Sequence, residues 1–386
     1  MTMITDATEL AELCDRLAGE DFLCIDTEFM RERTYWPHLC LVQIAGPDGV
    51  GIAIDPLADG LDLAPLNRLF DNRSVLKVFH AARQDLEIFY HMTGRVPAPL
   101  FDTQVAGMVC GFGEQASYET LAHKLAKARI DKSSRFSDWS KRPLNRRQLT
   151  YALADVAHLP TIYTKLAARL AATERGCWVE QELAALTDPE TYNLDPVLAW
   201  KRIKTRNVNP RFLALLREIA AVRERWAQAK DIPRQRLLRD EALLEIAAHR
   251  PETPGVLADT RGLSKGTATG RLGAALLEAV SNGMAIPDAE CPQRKAVAHR
   301  RAGTGPLVDL LKVLLKMRSS EHGVAQRLVA TSDHLERIAA GDTDVPALHG
   351  WRHQIFGADA LALTDGRLGL AARAGKVTLL ELPDSA

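Results

Sequence analysis

The chain has 386 residues, with 49 Lys plus Arg against 49 Asp plus Glu and a formal net charge of zero. At about 100–200 residues per domain, that length favours two or three domains over one. Hydrophobic residues make up 46% and charged residues 25%, which excludes a disordered chain, and no apolar run reaches the ~18 residues that span a bilayer. The first twenty residues carry Asp6, Glu9, Glu12 and Asp15 and lack a basic flank before an apolar core, so no secretory signal is expected. Cys14, Cys24, Cys40, Cys110, Cys177 and Cys291 are scattered without a CxxC pair, the pattern of reduced, mostly buried thiols in a cytosolic protein. The balanced charge hides an asymmetry. Residues 1–130 hold 11 Lys/Arg and 19 Asp/Glu, whereas residues 201–250 hold 13 basic and 6 acidic residues. Such a chain suits binding cations in one place and a polyanion in another.

In chain order, residues 22–25 form a short apolar run that ends in Asp26-Thr27-Glu28. Residues 39–45 and 50–54 read as strands joined by the turn signal Gly46-Pro47-Asp48-Gly49, an antiparallel hairpin. Helical spacing follows at 61–70, a strand at 75–80, and a helix at 82–93 that closes near Gly94. The whole reads as a mixed α/β domain. After about Leu144 the strand signals stop. Asn145 can cap a helix that runs through Tyr151 and Asp155, and Pro160 marks a turn or kink beyond it. Residues 210–250 are helical with a loop at 231–234, a gap rich in Gly, Thr and Pro spans 251–306 around a helix at 271–280, and a further helical block begins at Pro306. Residues 232–247 align with 324–339 at an offset of 92, matching Leu243 with Leu335, Ile246 with Ile338 and Ala247 with Ala339. The two blocks read as a duplicated helical module.

Asp26 and Glu28 stand two apart at a strand end, so their carboxylates leave one face and repel unless a cation lies between them. Asp85 begins, or lies within, the helix after the 75–80 strand. Tyr151 and Asp155 are four apart and share one helix face. Four carboxylates on three elements, with a phenol beside the last, can hold two hard cations about 3.5–4 Å apart. An all-oxygen donor set favours Mg²⁺ or Mn²⁺ over zinc.

These residues carry a resemblance. The stretches FLCIDTEF (22–29), FHAARQDLE (79–87) and YALAD (151–155) resemble the three motifs of the DEDD exonucleases, and the tyrosine four residues before the last aspartate resembles their DEDDy branch. The segments LFDTQ (100–104) and SDWSKRPL (137–144) look like those of the ribonuclease D family, and the first helical block resembles the helicase-and-RNase-D C-terminal (HRDC) domain. The second block looks like a diverged copy. The resemblance implies a ribonuclease-H-like (DnaQ-like) mixed-sheet exonuclease domain over 1–170, a helical linker over 171–205, and two all-α HRDC-type bundles over 206–290 and 291–386. It implies a 3′→5′ exoribonuclease that releases 5′-mononucleotides and trims tRNA precursors and other structured RNAs. Asp26 would bridge two divalent cations, Glu28 and Asp155 would hold the ion beside the attacking water, and Asp85 would complete the site through water. Tyr151 would orient that water.

Phe29 and His80 read either as contacts to the RNA end or as core residues. Trp139 and Arg142, in the basic loop 131–147, read as a guide for the RNA strand or, for Trp139, as the anchor of its own loop. Asp102 supports the ligands or caps a helix, while Glu32, Asp48 and Asp55 read as surface. A DNA exonuclease with the same chemistry and a catalytically silent nucleic-acid-binding protein are the competing readings. No GxxxxGK[ST] motif occurs, so a P-loop ATPase is excluded and no nucleoside triphosphate is expected. A cytoplasmic monomer with no membrane partner completes the expectation.

Overall fold

Strand signals in the N-terminal part converge on one six-stranded sheet in this computed structural model, which describes residues 3–131, 134, 137–293 and 304–383. Positions 132, 133, 135 and 136 of the basic loop lie outside the described residues. The strands are β1 (Met3–Ile4), β2 (Phe22–Met30), β3 (His38–Ala45), β4 (Gly51–Ile54), β5 (Leu76–Phe79) and β6 (Leu100–Asp102). They lie in the order β1-β4-β3-β2-β5-β6. β3 and β4 pair antiparallel across the turn read from the sequence, while β1–β4, β2–β5 and β5–β6 are parallel. β1 has two residues, too few for any periodicity to reveal.

The helices of this part are α1 (Ala7–Leu17), α2 (Ala64–Asp71), α3 (Arg83–Thr93), α4 (Thr103–Val109), α5 (Tyr118–Leu121), α6 (Arg146–Ala157), α7 (Leu159–Ala172) and α8 (Gly176–Thr187). Asn145 starts α6 through a reciprocal capping box with Gln148, each side chain meeting the other's backbone N–H at 3.0 Å. Pro160 falls at the second position of α7, where its missing N–H costs no intrahelical bond. Cys24, Ala45, Val78, Val156 and Leu159 form one buried cluster, so α6 and α7 are seated on the sheet itself. Gly51 permits close approach here. A Cβ on it would stand 3.3 Å from atoms of Leu153 and Val156.

Two compact units emerge among the described residues. One holds residues up to Glu28, 41–191 and 304–383; the other holds 29–40 with 192–293. The second unit contains α9 (Pro210–Lys230), α10 (Arg234–Leu237), α11 (Asp240–His249), α12 (Pro254–Leu257), α13 (Lys265–Thr269) and α14 (Arg271–Ala285). Glu224, 1% exposed, accepts hydrogen bonds from the Tyr35 hydroxyl and from Arg234 Nη2 at 2.8 Å. The Asp231 carboxylate accepts from the backbone N–H groups of Tyr35 and Trp36, both at 2.9 Å. These bonds explain why residues 29–40 belong to this helical unit, a long-range pairing that no local sequence pattern announces.

The later block contains α15 (Gly305–His322), α16 (Gln326–Val329), α17 (Ser332–Ala339), α18 (Gly350–Arg352) and α19 (Ala358–Thr364). The offset of 92 recurs in the backbone. α9 and α15 end at Lys230 and His322, each followed by a left-handed residue, Asp231 (φ 49°) and Gly323 (φ 58°), and the next helices begin at 234 and 326. The expectation of two all-α bundles needs one correction. The block ends in an antiparallel hairpin of β7 (Leu368–Arg373) and β8 (Lys376–Glu381), turned by the left-handed pair Ala374 and Gly375. Its alternation is weak because both faces remain partly exposed. No helix among the described residues is long and apolar enough to cross a membrane.

This block shares its unit with the exonuclease part. Trp178 of α8 stacks on Trp351 with centroids 4.4 Å apart at 11°, Arg352 pairs with Glu182, and Ala325 N–H donates to Met108 O at 3.0 Å. A chain ended near residue 205, which the sequence alone suggests would leave a self-sufficient exonuclease, uncovers Trp178 and strands Glu182. Trp351→Ala should cost about 3–5 kcal/mol, the usual loss for truncating a buried aromatic, and lower the melting temperature by about 10 °C. The truncated chain should melt lower still. Unchanged thermal melts by circular dichroism would show that the stack does not hold this unit together.

Candidate active site

β2, β5 and β6 run parallel, with Cys24 opposite Val78 and Phe79 opposite Asp102. Asp26 thus lies just past the last parallel pair of β2 with β5, His80 follows the end of β5 and Asp102 ends β6, so all three face the side where open α/β sheets leave a crevice for ligands. Asp26 and Glu28 alternate along β2, and α6 carries Tyr151 and Asp155 one turn apart. The result is one cluster. A carboxylate oxygen from each of Asp26, Glu28 and Asp155 lies within 4.8 Å of the other two. Asp85, at the third position of α3, is buried and accepts a hydrogen bond from the Thr27 hydroxyl through Oδ1. Thr27 thus ties the helix to the strand between the two acids of the DxE motif, a role that sequence pattern does not reveal.

The electrostatics are those of crowded, buried anions. Burial, then the charges of Asp85, Asp155 and Glu28, hold the Asp26 carboxyl well above its ordinary range. Glu28 is pushed up to about 8, first by burial and then by Asp155 and Asp85. Burial raises Asp85 to about 7 against the opposing Thr27 hydrogen bond. No Lys or Arg forms an ion pair with Asp26 or Glu28 among the described residues. The donor set is oxygen only and concentrates negative charge, which fits hard divalent cations and does not fit zinc's preference for nitrogen and sulfur. Tyr151 hydrogen-bonds Asp155, and burial with the neighbouring carboxylates raises its phenol far above the ordinary value. It stays protonated at any working pH.

Other residues singled out in the sequence have more structural duties. Asp102 caps α4, accepting from Gln104 N at 2.7 Å, and also accepts from Ala81 N at 3.0 Å and Ala82 N at 2.8 Å. It thereby holds the β5–α3 turn, in which Ala81 has φ 60°. Of its two sequence readings, the cap is the one observed. His80 Nδ1 lies 2.9 Å from the Thr103 hydroxyl, which itself donates to Phe79 O at 3.0 Å, and burial lowers the imidazole pKa. Phe29 is half-buried directly after Glu28.

Trp139 and Arg142, read from the sequence as a guide for the RNA strand or, for Trp139, as a loop anchor, are both engaged within the protein. Trp139 is 2% exposed, and the Arg142 guanidinium grips Asp55 at 2.6 Å through both Nε and Nη2. Asp55, read as surface, is 3% exposed. Its partner stands 87 positions away, beyond the reach of any spacing rule. Tyr118 has a role that no local sequence pattern signals. Its hydroxyl donates to Ala154 O at 2.8 Å and accepts from His158 N at 3.3 Å, steadying α6 next to Asp155.

Residues 1–171 match a family described as 3′-5′ exonuclease, and residues 212–280 match the HRDC domain. The chain is 50% identical over 382 residues to a ribonuclease D of Jannaschia sp. (strain CCS1), covering 98% of this chain and 99% of that protein. It is 51% identical over 383 residues to a ribonuclease D of Acidiphilium cryptum (strain JF-5), covering 99% and 97%. Among solved structures it is similar to Escherichia coli RNase D, described as an exoribonuclease involved in structured RNA processing. That likeness has a TM-score of 0.81 and 28% identity over 94% of this chain and 98% of the other.

The carboxylate cluster makes metal-free stability fall with rising pH. With Glu28 at about 8 and Asp85 at about 7, the folded state holds protons that the unfolded chain has released, and this applies from about pH 4 upward. Stability should decline through that window and recover on adding Mg²⁺, more at pH 8 than at pH 5. Asp26→Asn should melt higher than the unsubstituted protein without metal at pH 8 and gain less from Mg²⁺. A pH-independent melting temperature in the metal-free protein would contradict this electrostatic picture.

Proposed function

The chain belongs to the ribonuclease D family and is a 3′→5′ exoribonuclease; we propose that it trims tRNA precursors and other structured RNAs, releasing 5′-mononucleotides. The observation that carries this reading is the meeting of Asp26, Glu28 and Asp155 beside a protonated Tyr151. The structured-RNA role stated for the E. coli relative supports the choice of substrate.

Asp26, Glu28 and Asp155, with Asp85 beside them, would hold two divalent cations, Mg²⁺ or Mn²⁺. Asp26 feels the charge of all three other acids and would be the most central of them to that binding. When bound, the cations supply Lewis acidity, acidifying a water and neutralising charge on the scissile phosphate. The phenol of Tyr151 spends its proton on Asp155, which leaves its oxygen lone pairs to accept a hydrogen bond from the attacking water. Its raised pKa suits it to orient that water and not to remove the proton. The enzyme is proposed to work as a cytoplasmic monomer.

The polyanion grip is assigned to the first HRDC bundle. A groove of about 990 Å³ there is lined by Arg225, Lys230, Arg236 and Arg271, with Trp226 in its wall. The other arginines of α9 and α10 are committed to carboxylates: Arg211 to Asp288, Arg217 to Glu218, Arg223 to Asp240 and Arg234 to Glu224. The four groove cations have no carboxylate partner among the described residues, and Lys230 lies 4.8 Å from the Trp226 ring centroid. Cations and an aromatic face together suit single-stranded phosphate backbone and bases.

With Mg²⁺ or Mn²⁺, 5′-labelled RNA should shorten from its 3′ end while matched DNA resists. Asp26→Asn should nearly abolish turnover, and Tyr151→Phe should slow it about 10²-fold at saturating metal. Preferential DNA degradation, or near-native activity of Asp26→Asn, would overturn the assignment.

For the groove, Arg225→Glu with Arg271→Glu should weaken structured-RNA affinity and flatten its salt dependence by roughly one unit of log–log slope per lost phosphate contact. Rates on short single strands should be little changed. Unaltered affinity and slope would remove the groove from RNA binding.

A further inference from the structure

The geometry points to Asp55, Arg142 and Trp139 as a positioning relay that holds the Tyr151 ring in its working orientation. The inference rests on the assignment of Tyr151 as the residue that orients water. Tyr151 is only half-buried, and its hydrogen bond to Asp155 pins the phenol oxygen while leaving the ring free to swing about that point. A wall is needed to choose one orientation. Trp139 supplies it, with ring centroids 6.1 Å apart and planes 33° from parallel.

The indole has no polar anchor of its own. Its Nε1 is buried without a hydrogen-bond partner among the described residues, so the ring sits wherever its backbone puts it. Arg142 fixes that backbone. Its Nη1 donates to Trp139 O at 2.7 Å and to Lys141 O at 2.9 Å, while Nε and Nη2 each donate to the Asp55 carboxylate at 2.6 Å. Asp55 is the residue immediately after β4, and its Oδ1 also accepts from Leu57 N at 3.0 Å. β4 in turn packs on α6 at Gly51, against Leu153 and Val156. The helix that carries Tyr151 and the strand end that anchors Arg142 are thus parts of one body. A fork-to-carboxylate pair is directional, so the relay transmits a defined loop geometry and not merely proximity. Misplacing a reacting group by about 1 Å can cost about 10²-fold in rate, which is the scale of effect such a wall controls.

The test is a double-mutant cycle on full-length protein with saturating Mn²⁺ and RNA. Trp139→Leu should lower kcat about 10-fold or more with KM and metal affinity nearly unchanged, and it should cost almost nothing further in a Tyr151→Phe background. Arg142→Lys keeps the charge but loses the fork, and should show the same pattern in weaker form. If Trp139→Leu fails to fold, the Arg142→Lys cycle carries the same test. A rise in KM at constant kcat would overturn the relay in favour of an RNA contact. Equal losses with and without the Tyr151 hydroxyl would show a general structural role and overturn it too. Full kcat in Tyr151→Phe alone would instead sink the assignment of Tyr151 and the relay with it. A slowed Tyr151→Phe with additive losses sinks the relay only.

Discussion

Three carboxylate oxygens held within 4.8 Å of one another, with a fourth acid buried nearby, repel in the absence of cations. The fold must hold that charge in place before any metal arrives, and much of the architecture around the site serves this end. Asp26 and Glu28 sit in β2, whose first residues are paired to β5 and which is flanked by β3 and β5 in the sheet. Asp85 is buried at the first turn of α3, where the Thr27 hydroxyl and the helix N-terminal N–H groups partly offset its charge. Asp155 rides on α6, whose start is locked by the Asn145–Gln148 box and whose end is steadied by Tyr118. The same rigidity that holds the acids against their mutual repulsion makes the site preorganised for divalent cations, since little reorganisation remains to be done on binding.

Legibility in the sequence followed distance along the chain. The DxE pair, the Tyr151–Asp155 spacing and the Asn145 cap are local patterns of two to four residues, and each is found where its pattern implies. The antiparallel hairpin was legible because its turn residues permit few other conformations. Partners far apart in sequence were not legible. Asp55 looks like any surface acid until Arg142 folds against it, and Tyr35 looks like a strand-edge aromatic until Glu224 and Arg234 surround its hydroxyl. The β7–β8 hairpin was missed for a different reason. Its strands are partly exposed on both faces and lack the apolar alternation by which a strand is recognised.

The two helical blocks share a helix stop that is put to different uses. After its first long helix, one block uses Asp231 and the other Gly323 to adopt the left-handed conformation that stops it. Asp231 adds a carboxylate that binds the backbone of Tyr35 and Trp36. Gly323 adds no side chain, and its carbonyl oxygen lies 2.4 Å from where a Cβ on Gly111 would stand, so the close approach requires glycine at 111, while at 323 it is the left-handed φ of 58° that favours glycine. The left-handed stop thus carries a polar grip in the first block and only a backbone requirement in the second.

Arginine is used in the same two ways, and what occupies its donors separates them. Arg142 lies in a stretch rich in basic residues and reads as an RNA contact by composition, yet its fork is filled by Asp55 and its remaining donors by two carbonyls. A guanidinium so saturated has little left to offer a phosphate, and exchanging Asp55 for phosphate would leave a buried carboxylate without its cation. The groove arginines of the first HRDC bundle show the converse, with charge exposed and no carboxylate partner among the described residues. Basic composition locates a region that can meet a polyanion. Which arginines have donors to offer is decided by hydrogen bonds that only the folded chain supplies, and by that criterion Arg142 is occupied by Asp55 and two carbonyls while the groove arginines keep their charge exposed.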